Sequence, residues 1–546
     1  AIDIMRLVSL VRSLAHLPLP RRVSARPYSL TPVLAVADRG GGGELAGRLA
    51  SPGILRTESL VAGAWVDSTS LSGGTPEECS FEVLDPATGA VLGRVPACGV
   101  SEIDQAVEAA VDAQKQWRHV PAKQRAAVLQ RWFGLMQEHS EDLATILSAE
   151  AGKPLQEARG EVAYAASFFE WFAEESKRAY GQTIPAPTGD RRLLTIKQPV
   201  GVAAMITPWN FPAAMITRKV GPCLAAGNAA VLMPAEDTPL TALAIAELGE
   251  QAGVPPGLFS VVTCSRDAAA AVGERLCKHP QVGKMSFTGS TRVGVQLAEW
   301  CAEGMKRVSL ELGGNAPFIV FGDADLDVAV KALMASKFRN SGQTCVCANR
   351  VLVHDSVHDE FVRALEEAAS TIKLGHGFAP GVGQGPMINR AGHAKTTELV
   401  QNATAAGAQV VLGGVGEAQR QGLTENFFSP TVLTNVTSDM DIFQQEIFGP
   451  VAAVIKFSSE EEAVSLANSA DVGLAAYFCS RDMARIWRVA EALEVGMVGV
   501  NEGIISTEVA PFGGWKMSGL GREGASVGMD EYMELKYICM GGIGPA

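Results

Sequence analysis

Beyond residue 57, segments with a helical spacing of apolar residues alternate with short, continuously apolar segments. A helix ending near Trp117 is preceded by Ser101 and Asp104, which resemble a capping box. Further helical spacing covers residues 121–139, 141–151, 154–178 and 326–341. This alternation predicts an α/β protein with mostly parallel sheets, because parallel strands need helical crossovers.

The strand-like segments also have a characteristic order. They occupy residues 200–206, 229–233, 283–287 and 307–312. Thr238–Pro239 predicts the start of a helix, with an N-cap followed by proline. Residues 181–198 interrupt the alternation and predict a polar hairpin that contacts another subunit. Residues 531–540 again have strand composition, and no helical segment follows them.

The composition is that of a folded protein with a large core, since 47% of the 546 residues are hydrophobic and 19% are charged. No apolar run reaches the ~20 residues of a membrane helix. The net charge of −13 argues against nucleic acid as a partner, because phosphate binding needs clustered Lys and Arg. Ten scattered cysteines, without a CxxC pair or Cys/His cluster, indicate reduced intracellular thiols and no metal site.

The first 37 residues differ from the rest of the chain. The segment from Met5 to Ala37 contains several serines and no Asp or Glu, and it has five arginines: Arg6, Arg12, Arg21, Arg22 and Arg26. Such a composition is typical of a mitochondrial transit peptide, so we expect a location in the mitochondrial matrix. A disordered tail is the alternative. The Gly40–Gly43 run would then be a flexible joint.

Three polar residues from separate segments are candidates for a nucleophilic site. Cys345 follows a Ser–Gly–Gln–Thr turn, and a thiolate is a nucleophile when a nearby group manages protons. Glu311 precedes two glycines that let the backbone approach a ligand, a suitable place for a general base. Asn210 lies on a loop after a strand, where its amide could stabilise an oxyanion. A single cysteine is more often structural, so the interpretation depends on all three.

The motifs TPWNFP, FTGST, LELGGN, GQTC, EIFGP and PFGG have the order and spacing found in the aldehyde dehydrogenase superfamily. The chain resembles this superfamily from about residue 57 to 540, and within it most resembles the mitochondrial succinate-semialdehyde dehydrogenases. The resemblance implies a Rossmann-type NAD-binding domain, an α/β catalytic domain and a β oligomerisation element. The implied boundaries are residues 1–56 for a transit peptide and linker, 57–179 and 200–310 for the NAD-binding domain, 180–199 for an oligomerisation hairpin, 311–517 for the catalytic domain and 518–546 for a C-terminal oligomerisation segment.

The resemblance also implies a catalytic role for each candidate. Cys345 would attack the aldehyde carbonyl, and its main-chain N–H and the Asn210 amide would hold the oxyanion of the thiohemiacetal. After hydride passes to the nicotinamide, Glu311 would activate the water that hydrolyses the thioester. Lys219, nine residues after Asn210, resembles a family lysine that assists proton transfer; a surface salt bridge is the alternative.

For the cofactor, the strand–helix units of residues 57–310 contain no GxGxxG fingerprint. The resemblance implies instead that Gly289, Ser290 and Gly294 bring a helix N-terminus to the pyrophosphate of NAD. The remaining implied cofactor contacts are Ile206, Thr207, Pro208 and Trp209 beside the nicotinamide, Glu446 and Phe448 at its ribose, and Glu236 and Leu312.

One position departs from the family pattern. The family usually has KPAE after its second strand, whereas this chain has Met233, Pro234, Ala235 and Glu236. The missing lysine would bond the adenosine ribose, and methionine cannot. The Glu236 carboxylate accepts from ribose hydroxyls and repels a 2′-phosphate. We therefore expect NAD rather than NADP, bound less tightly than in a relative that has the lysine.

Two arginines close in sequence to the chemistry, Arg218 and Arg339, could bind a free carboxylate, which is costly to bury unpaired. With Ser506 they match the succinate-semialdehyde dehydrogenases, so the resemblance implies oxidation of succinate semialdehyde to succinate in 4-aminobutyrate degradation. The usual fate of an arginine, a surface ion pair, is the alternative. Another semialdehyde such as glutarate semialdehyde, a thiol esterase without cofactor, and a catalytically silent protein also remain open.

Cys347, two residues after Cys345, could form a strained and readily reduced disulfide with it, or could be a packed, inert thiol. The resemblance further implies a homotetramer. The expected partner is a small-molecule semialdehyde, with no nucleic acid and no membrane.

Overall fold

The computed structural model describes residues 43–71 and 74–543 and has an α/β fold, as the sequence predicts. The arginine-rich segment that resembles a transit peptide lies outside the described residues. No described helix is both long enough and apolar enough to cross a membrane.

The first half of the described chain alternates strands and helices. Its strands are β1 (Ser59–Val61), β2 (Ala64–Val66), β3 (Ser80–Leu84), β4 (Val91–Pro96), β5 (Thr183–Ile184), β6 (Arg191–Pro199), β7 (Val202–Ile206), β8 (Ala229–Met233), β9 (Phe259–Val261), β10 (Val282–Thr288) and β11 (Arg307–Glu311). Its α-helices are Gly43–Ala46, Val100–Trp117, Ala122–Glu138, Ser140–Ala151, Leu155–Glu175, Ala214–Ala225, Pro239–Ala252, Ala269–Lys278 and Thr291–Ala302.

The second half repeats this alternation. Its strands are β12 (Ala316–Val320), β13 (Ala348–His354), β14 (Gln409–Leu412), β15 (Thr431–Thr434), β16 (Val451–Phe457), β17 (Val472–Gly473), β18 (Ala475–Cys479), β19 (Met497–Val500), β20 (Trp515–Lys516), β21 (Gly519–Leu520) and β22 (Met533–Gly541). Its α-helices are Leu326–Lys337, His358–Ser370, Arg390–Ala405, Glu417–Arg420, Asp441–Gln444, Glu460–Asn468, Met483–Ala492 and Val527–Asp530. Short 3₁₀ helices occur at Pro52–Ile54, Ser68–Ser70, Ser176–Arg178 and Arg339–Gly342.

An eight-stranded sheet has the order β2-β1-β9-β8-β7-β10-β11-β21. Its five inner strands from β9 to β11 are parallel, and β7 and β8 are buried along their whole length, which explains their continuous apolar sequences. Helices cover the sheet and share one apolar core with it. Ile206, Met233 and Thr288 end three adjacent parallel strands, so the loops that follow them meet at one edge.

A seven-stranded sheet has the order β14-β15-β16-β13-β12-β18-β19 and is parallel except for β14. Separate apolar clusters cover its two faces. Cys345 lies three residues before β13, at the start of this central strand. The sheet therefore fixes the position of the predicted nucleophile.

The predicted polar hairpin is present as β5 and β6, which pair antiparallel. Strand β22 pairs with β6 from Met533–Pro199 to Gly541–Arg191 and completes a three-stranded sheet. Leu535 and Tyr537 on β22 are exposed.

The structure corrects several boundaries. Residues 43–56, expected to belong to the linker, bury Leu45 and Ile54 in the core of the first sheet. Strand β21, expected in the C-terminal oligomerisation segment, pairs with β11 at the edge of that sheet. The helix expected over residues 326–341 ends at Lys337, because Asn340 and Ser341 adopt left-handed backbone angles.

The predicted capping box at Ser101 and Asp104 is wrong. That helix begins at Val100, and the Glu102 carboxylate accepts from the Gly99 N–H at 2.8 Å. The helix at Pro239 begins as predicted, but the Thr238 hydroxyl has no hydrogen-bond partner among the described residues. Buried Glu150 accepts from the N–H groups of Leu240 and Thr241 instead.

Candidate active site

Cys345 lines a cavity of about 340 Å³ together with Arg218, Arg339 and Ser506. The cavity wall also contains acidic, aromatic and apolar side chains, namely Glu157, Tyr164, Phe211, Met215, Ile504 and Phe512. The predicted nucleophile and all three predicted substrate-binding residues therefore lie in one enclosure.

The Asn210 amide lies against the loop that carries Cys345. Its Nδ2 donates to the main-chain oxygen of Gln343 at 3.1 Å. Asn340 joins the two loops from the other side, since its Nδ2 donates to the main-chain oxygens of Asn210 at 2.9 Å and Gln343 at 3.2 Å. Asn340, Ser341 and Gly342 all have positive φ angles, and the sharp turn that they form lies three residues before Cys345.

A buried ion pair that the sequence analysis missed supports Asn210. Lys153 Nζ lies 2.5 Å from Glu161 Oε2 and donates to the main-chain oxygen of Asn210 at 2.7 Å. Glu161 Oε1 accepts from the main-chain N–H of Ala213 at 2.9 Å, just before the helix Ala214–Ala225. Both ends of the loop after β7 are thus held by charged groups.

Glu311, at the end of β11, is 2% exposed, and neither carboxylate oxygen has a hydrogen-bond partner among the described residues. Burial, together with the nearby charge of Glu523, raises its pKa well above the ordinary value. Burial also raises the pKa of the Cys345 thiol to about 12, although the Arg218 charge opposes this effect. A carboxyl without partners can turn toward a water molecule, as a general base must.

Arg218 and Lys219 are fully buried, which rules out surface ion pairs for both. Each forms an ion pair with Glu523, a residue that the sequence analysis did not single out. Lys219 Nζ also donates to Ser286 Oγ at 3.2 Å, and Lys219 does not line the cavity. Burial lowers the pKa of Lys219, and its ammonium faces Glu523.

Arg339 is bound differently from Arg218. Its guanidinium lies over the Phe211 ring at 5.3 Å, and its buried Nε has no hydrogen-bond partner among the described residues. Ser506 lines the same cavity. A guanidinium that has no ion-pair partner among the described residues suits an anionic group.

A separate cleft of about 410 Å³ lies at the carboxyl edge of the first sheet. It is lined by eight of the residues discussed for the cofactor: Ile206, Thr207, Pro208, Trp209, Met233, Glu236, Gly289 and Ser290. Ser290 caps the helix Thr291–Ala302, because its Oγ accepts from the Val293 N–H. This end of the helix can bind an anion.

The other predicted cofactor residues lie outside the lining of this cleft. A Cβ on Gly294 would come within 2.3 Å of Leu312, so the glycine permits close packing of helix and strand. Phe448 contacts Trp209 edge-to-face at 5.6 Å, and Glu446 accepts from the Gly314 N–H at 3.2 Å. Burial raises the pKa of Glu446 to about 7.

Three features of this region fit a dinucleotide. They are the helix N-terminus capped by Ser290, the glycines where the chain packs closely, and the carboxylate of Glu236. The structure adds Arg266, whose Nε lies 2.6 Å from Glu236 and whose Nη2 lies 3.3 Å from Asp237. The carboxylate expected to repel a 2′-phosphate is therefore partly neutralised.

Cys345 and Cys347 are both free thiols in this structure. The Cys347 thiol is buried and donates to the main-chain oxygen of Lys337 at 3.4 Å. Among the residues that the structure describes, no cluster of metal-binding side chains is found.

The comparisons with known proteins agree with this arrangement. The sequence model of the aldehyde dehydrogenase family matches residues 74–538. Human mitochondrial succinate-semialdehyde dehydrogenase is 56% identical over 501 residues, which are 91% of each chain. A 3-sulfolactaldehyde dehydrogenase from Pseudomonas putida is 54% identical over 91% of this chain and 99% of its own.

Among solved structures, an NADP-dependent enzyme from Escherichia coli superposes with a TM-score of 0.87 at 52% identity, covering 90% of this chain and all of the other. Cys345, Asn210 and Glu311 lie in the motifs by which the sequence resembles this family. With this likeness over nearly all of the described residues, the chain belongs to the aldehyde dehydrogenase family, whose members use NAD or NADP.

Proposed function

We propose that the protein oxidises succinate semialdehyde to succinate with NAD, and that Cys345 is the nucleophile. The observation that carries this proposal is the presence of Arg218 and Arg339 in the same cavity as Cys345. A four-carbon semialdehyde has a carboxylate at one end and a carbonyl at the other. The cavity offers guanidinium groups for the first and a thiol for the second.

In the proposed reaction, the Cys345 thiol loses its proton to water, the thiolate sulfur bonds to the carbonyl carbon, and the carbonyl oxygen becomes an oxyanion. The Asn210 Nδ2 and the Cys345 main-chain N–H donate to this oxyanion, a contribution of about 3–4 kcal/mol per donor in comparable sites. Bound NAD supplies the hydride acceptor for the oxidation. The acyl group then remains on Cys345 as a thioester, which cannot diffuse away before water arrives.

Glu311 takes a proton from the attacking water, and the C–S bond breaks as the acid forms. The Cys345 sulfur leaves and is reprotonated. Aldehyde, NAD and water thus give acid, NADH and protons in balance. The lack of hydrogen-bond partners on the Glu311 carboxylate supports this role, since its oxygens are not already engaged.

We propose that NAD is held with its pyrophosphate at the helix N-terminus capped by Ser290 and its adenosine ribose near Glu236. The ion pair of Glu236 with Arg266 reduces the repulsion that a 2′-phosphate would meet. The preference for NAD over NADP is therefore expected to be moderate.

A second candidate substrate is an aldehyde carrying a sulfonate, because a guanidinium binds either anion and a 3-sulfolactaldehyde dehydrogenase is among the relatives. The formation of NADH, followed by its absorbance, separates the candidates. The substrates to compare are succinate semialdehyde, glutarate semialdehyde, 3-sulfolactaldehyde and acetaldehyde, each with NAD and with NADP.

Replacing Arg339 by Ala should raise KM for succinate semialdehyde at least ~10-fold and leave KM for acetaldehyde nearly unchanged. The matched control is Arg488→Ala, which removes an exposed arginine paired with Glu460. If Arg339→Ala weakened both substrates equally, the proposed substrate class would be wrong.

We further propose a mitochondrial matrix location and a homotetramer. The first is supported by the arginine-rich N-terminal sequence and by the human mitochondrial relative. The second is supported by the exposed apolar side chains of Leu535 and Tyr537 on the antiparallel strand β22.

We assign the first sheet to the cofactor domain, the second to the catalytic domain and the third to oligomerisation. A fluorescent tag followed by microscopy tests the mitochondrial location, and the mass measured by light scattering tests the homotetramer.

A further inference from the structure

Glu523 lies behind the substrate cavity and contacts two cations that point toward it from the helix Ala214–Ala225. Its Oε2 is paired with Arg218, and its Oε1 lies 2.5 Å from Lys219 Nζ. All three side chains are at least 95% buried. Burial alone would raise the pKa of Glu523, but the two cations hold it below the usual value, so the carboxylate is ionised at neutral pH.

Arg218 is therefore a cation that already has a counter-ion, which it shares with Lys219. Its guanidinium lies 4.2 Å from the centre of the Phe512 ring, and its Nη2 lies 3.1 Å from the Met215 sulfur. Ring, sulfur and carboxylate fix its orientation. A substrate carboxylate that approaches Arg218 meets a positive charge with a negative charge immediately behind it.

Arg339 provides the contrast within the same cavity. Among the residues that the structure describes, it has no acidic partner at ion-pair distance, whereas Arg218 is paired with Glu523. Glu157 is near enough to attract Arg339, but no ion pair joins the two among the described residues, and burial raises the pKa of the Glu157 carboxyl, which favours its neutral form. The two arginines therefore differ in the charge that they offer to a ligand.

We propose that Glu523 is a specificity-determining residue: as the built-in counter-ion of Arg218, it weakens the pull of that arginine on a substrate carboxylate and leaves Arg339 as the principal binding charge. This inference rests on the proposed function, because it concerns how the same cavity binds an anionic aldehyde. It assigns Glu523 a role through Arg218 and no contact with the substrate.

Such a counter-ion has a physical use. Two free guanidinium groups would bind the product carboxylate as tightly as the substrate, and slow product release would limit turnover. An Arg218 that is partly compensated by Glu523 still shapes the cavity, while its charge attracts an anion less strongly. Removing the Glu523 charge should raise the affinity for a monocarboxylate roughly tenfold at the separations and effective dielectric of a buried site.

The test measures the binding of butyrate, which has the length and carboxylate of the proposed substrate but no aldehyde, and of butyramide, its uncharged counterpart. Apparent affinities come from the rise in melting temperature with ligand concentration, so turnover is not required. The variants are Glu523→Gln, Arg218→Met, the double variant and Arg339→Met. The matched control is Glu531→Gln, which alters a partly buried glutamate on the same C-terminal segment, paired with Lys284 outside the cavity.

The expected pattern is specific. Glu523→Gln binds butyrate about tenfold more tightly than the parent, and butyramide equally well. Arg218→Met binds butyrate more weakly, because the Glu523 charge is then exposed to it. The double variant recovers most of the affinity for butyrate that Arg218→Met lost, because Arg339 still binds the carboxylate. Arg339→Met binds butyrate much more weakly than the parent does. Glu531→Gln behaves as the parent does.

Two results would overturn the inference and are distinguishable from each other. If the parent prefers butyrate but the double variant stays as weak as Arg218→Met, Arg218 is the direct anion-binding residue and Glu523 has no such role. If the parent binds butyrate and butyramide equally, the proposed function fails together with the inference. Should Glu523→Gln alone be too unstable to assay, the double variant removes the ion pair as a unit and still decides between these outcomes.

Discussion

The ammonium of Lys153 donates a hydrogen bond to the main-chain oxygen of Asn210 at 2.7 Å, although 57 positions separate the two residues. The same ammonium is paired with Glu161, and both side chains are 1% exposed. The Asn210 loop is therefore held in place by a buried ammonium that is shielded from solvent. The position of the proposed oxyanion donor depends on this pair.

Replacing Lys153 by Met should lower kcat about 10- to 100-fold, because the Asn210 loop loses its support and one oxyanion donor is misplaced. The same change should lower the free energy of unfolding by ~3–5 kcal/mol, since Glu161 is left as an unpaired buried charge. Steady-state rates and urea denaturation measure the two effects.

The control for this prediction is Lys177→Met, which breaks the half-exposed ion pair with Glu174. It should change stability by less than ~1 kcal/mol and leave kcat unchanged. Parental kcat in Lys153→Met at a temperature where the variant is folded would show that the lysine does not position Asn210.

Because of Glu311, kcat should begin to fall at an unusually high pH when the pH is lowered. As a general base it must be ionised, and its raised pKa means that it gains its proton at a higher pH than an ordinary glutamate, near ~4.3. Activity should therefore fall as pH decreases through this raised value. The pH profile of kcat measures it, and an inflection at the ordinary value would contradict the proposed environment.

Glu311→Gln should separate the two halves of the reaction. Acylation of Cys345 does not need this base, so one equivalent of NADH per site should form rapidly, followed by turnover at least ~100-fold slower than in the parent. Stopped-flow absorbance and mass spectrometry of the acylated Cys345 peptide test this. Rapid steady turnover without a burst would remove Glu311 from its assigned step.

Cys347 should make oxidation of the nucleophile reversible. Cys347 is buried and Cys345 is partly exposed, and the pKa values of both thiols are raised, that of Cys345 to about 12, so inactivation by peroxide should be slow at neutral pH and faster as pH rises. Dithiothreitol should restore activity in the parent but not in Cys347→Ala, where no disulfide can protect Cys345.

Cys479→Ala is the matched control for Cys347, because Cys479 is another buried thiol in the same sheet. It should behave as the parent does. Formation of the disulfide requires the Cys347 thiol to leave the Lys337 carbonyl oxygen. Full recovery of Cys347→Ala after peroxide treatment would rule out a protective role.

The α/β alternation and the motif residues could be read from the sequence because their signals are local. Continuous apolar runs such as β7 and β8 are typical of parallel strands buried on both faces, and the structure has them there. Cys345, Arg218 and Arg339 stand in or beside recognisable motifs, and the fold brings them into one cavity.

Glu523 and Lys153 could not be found in this way. Each is a single charged residue in a segment of ordinary composition, and its significance arises only when distant segments pack together. The failed capping box shows the same limit at short range. Ser101 and Glu102 are adjacent in sequence, and the exact start of the helix decides which side chain can take part in capping. The helix begins at Val100, so the Glu102 carboxylate accepts from the Gly99 N–H.

Met233→Lys should tighten cofactor binding. Met233 ends β8, lines the cofactor cleft with Glu236 and is 8% exposed, so a lysine there can reach the cleft. One charge-assisted hydrogen bond to a ribose hydroxyl is worth about 1.5 kcal/mol, which corresponds to a KM for NAD roughly tenfold lower. Met233→Leu, which supplies no donor, should leave KM unchanged.

The same lysine should favour NADP more than NAD, because its charge also attracts a 2′-phosphate and adds to that of Arg266, already paired with Glu236 across the cleft. The ratio of kcat/KM for NADP to that for NAD should therefore rise in Met233→Lys and stay constant in Met233→Leu. An unchanged KM for NAD in Met233→Lys would mean that the adenosine ribose does not lie beside β8, and the placement of the cofactor would have to be revised.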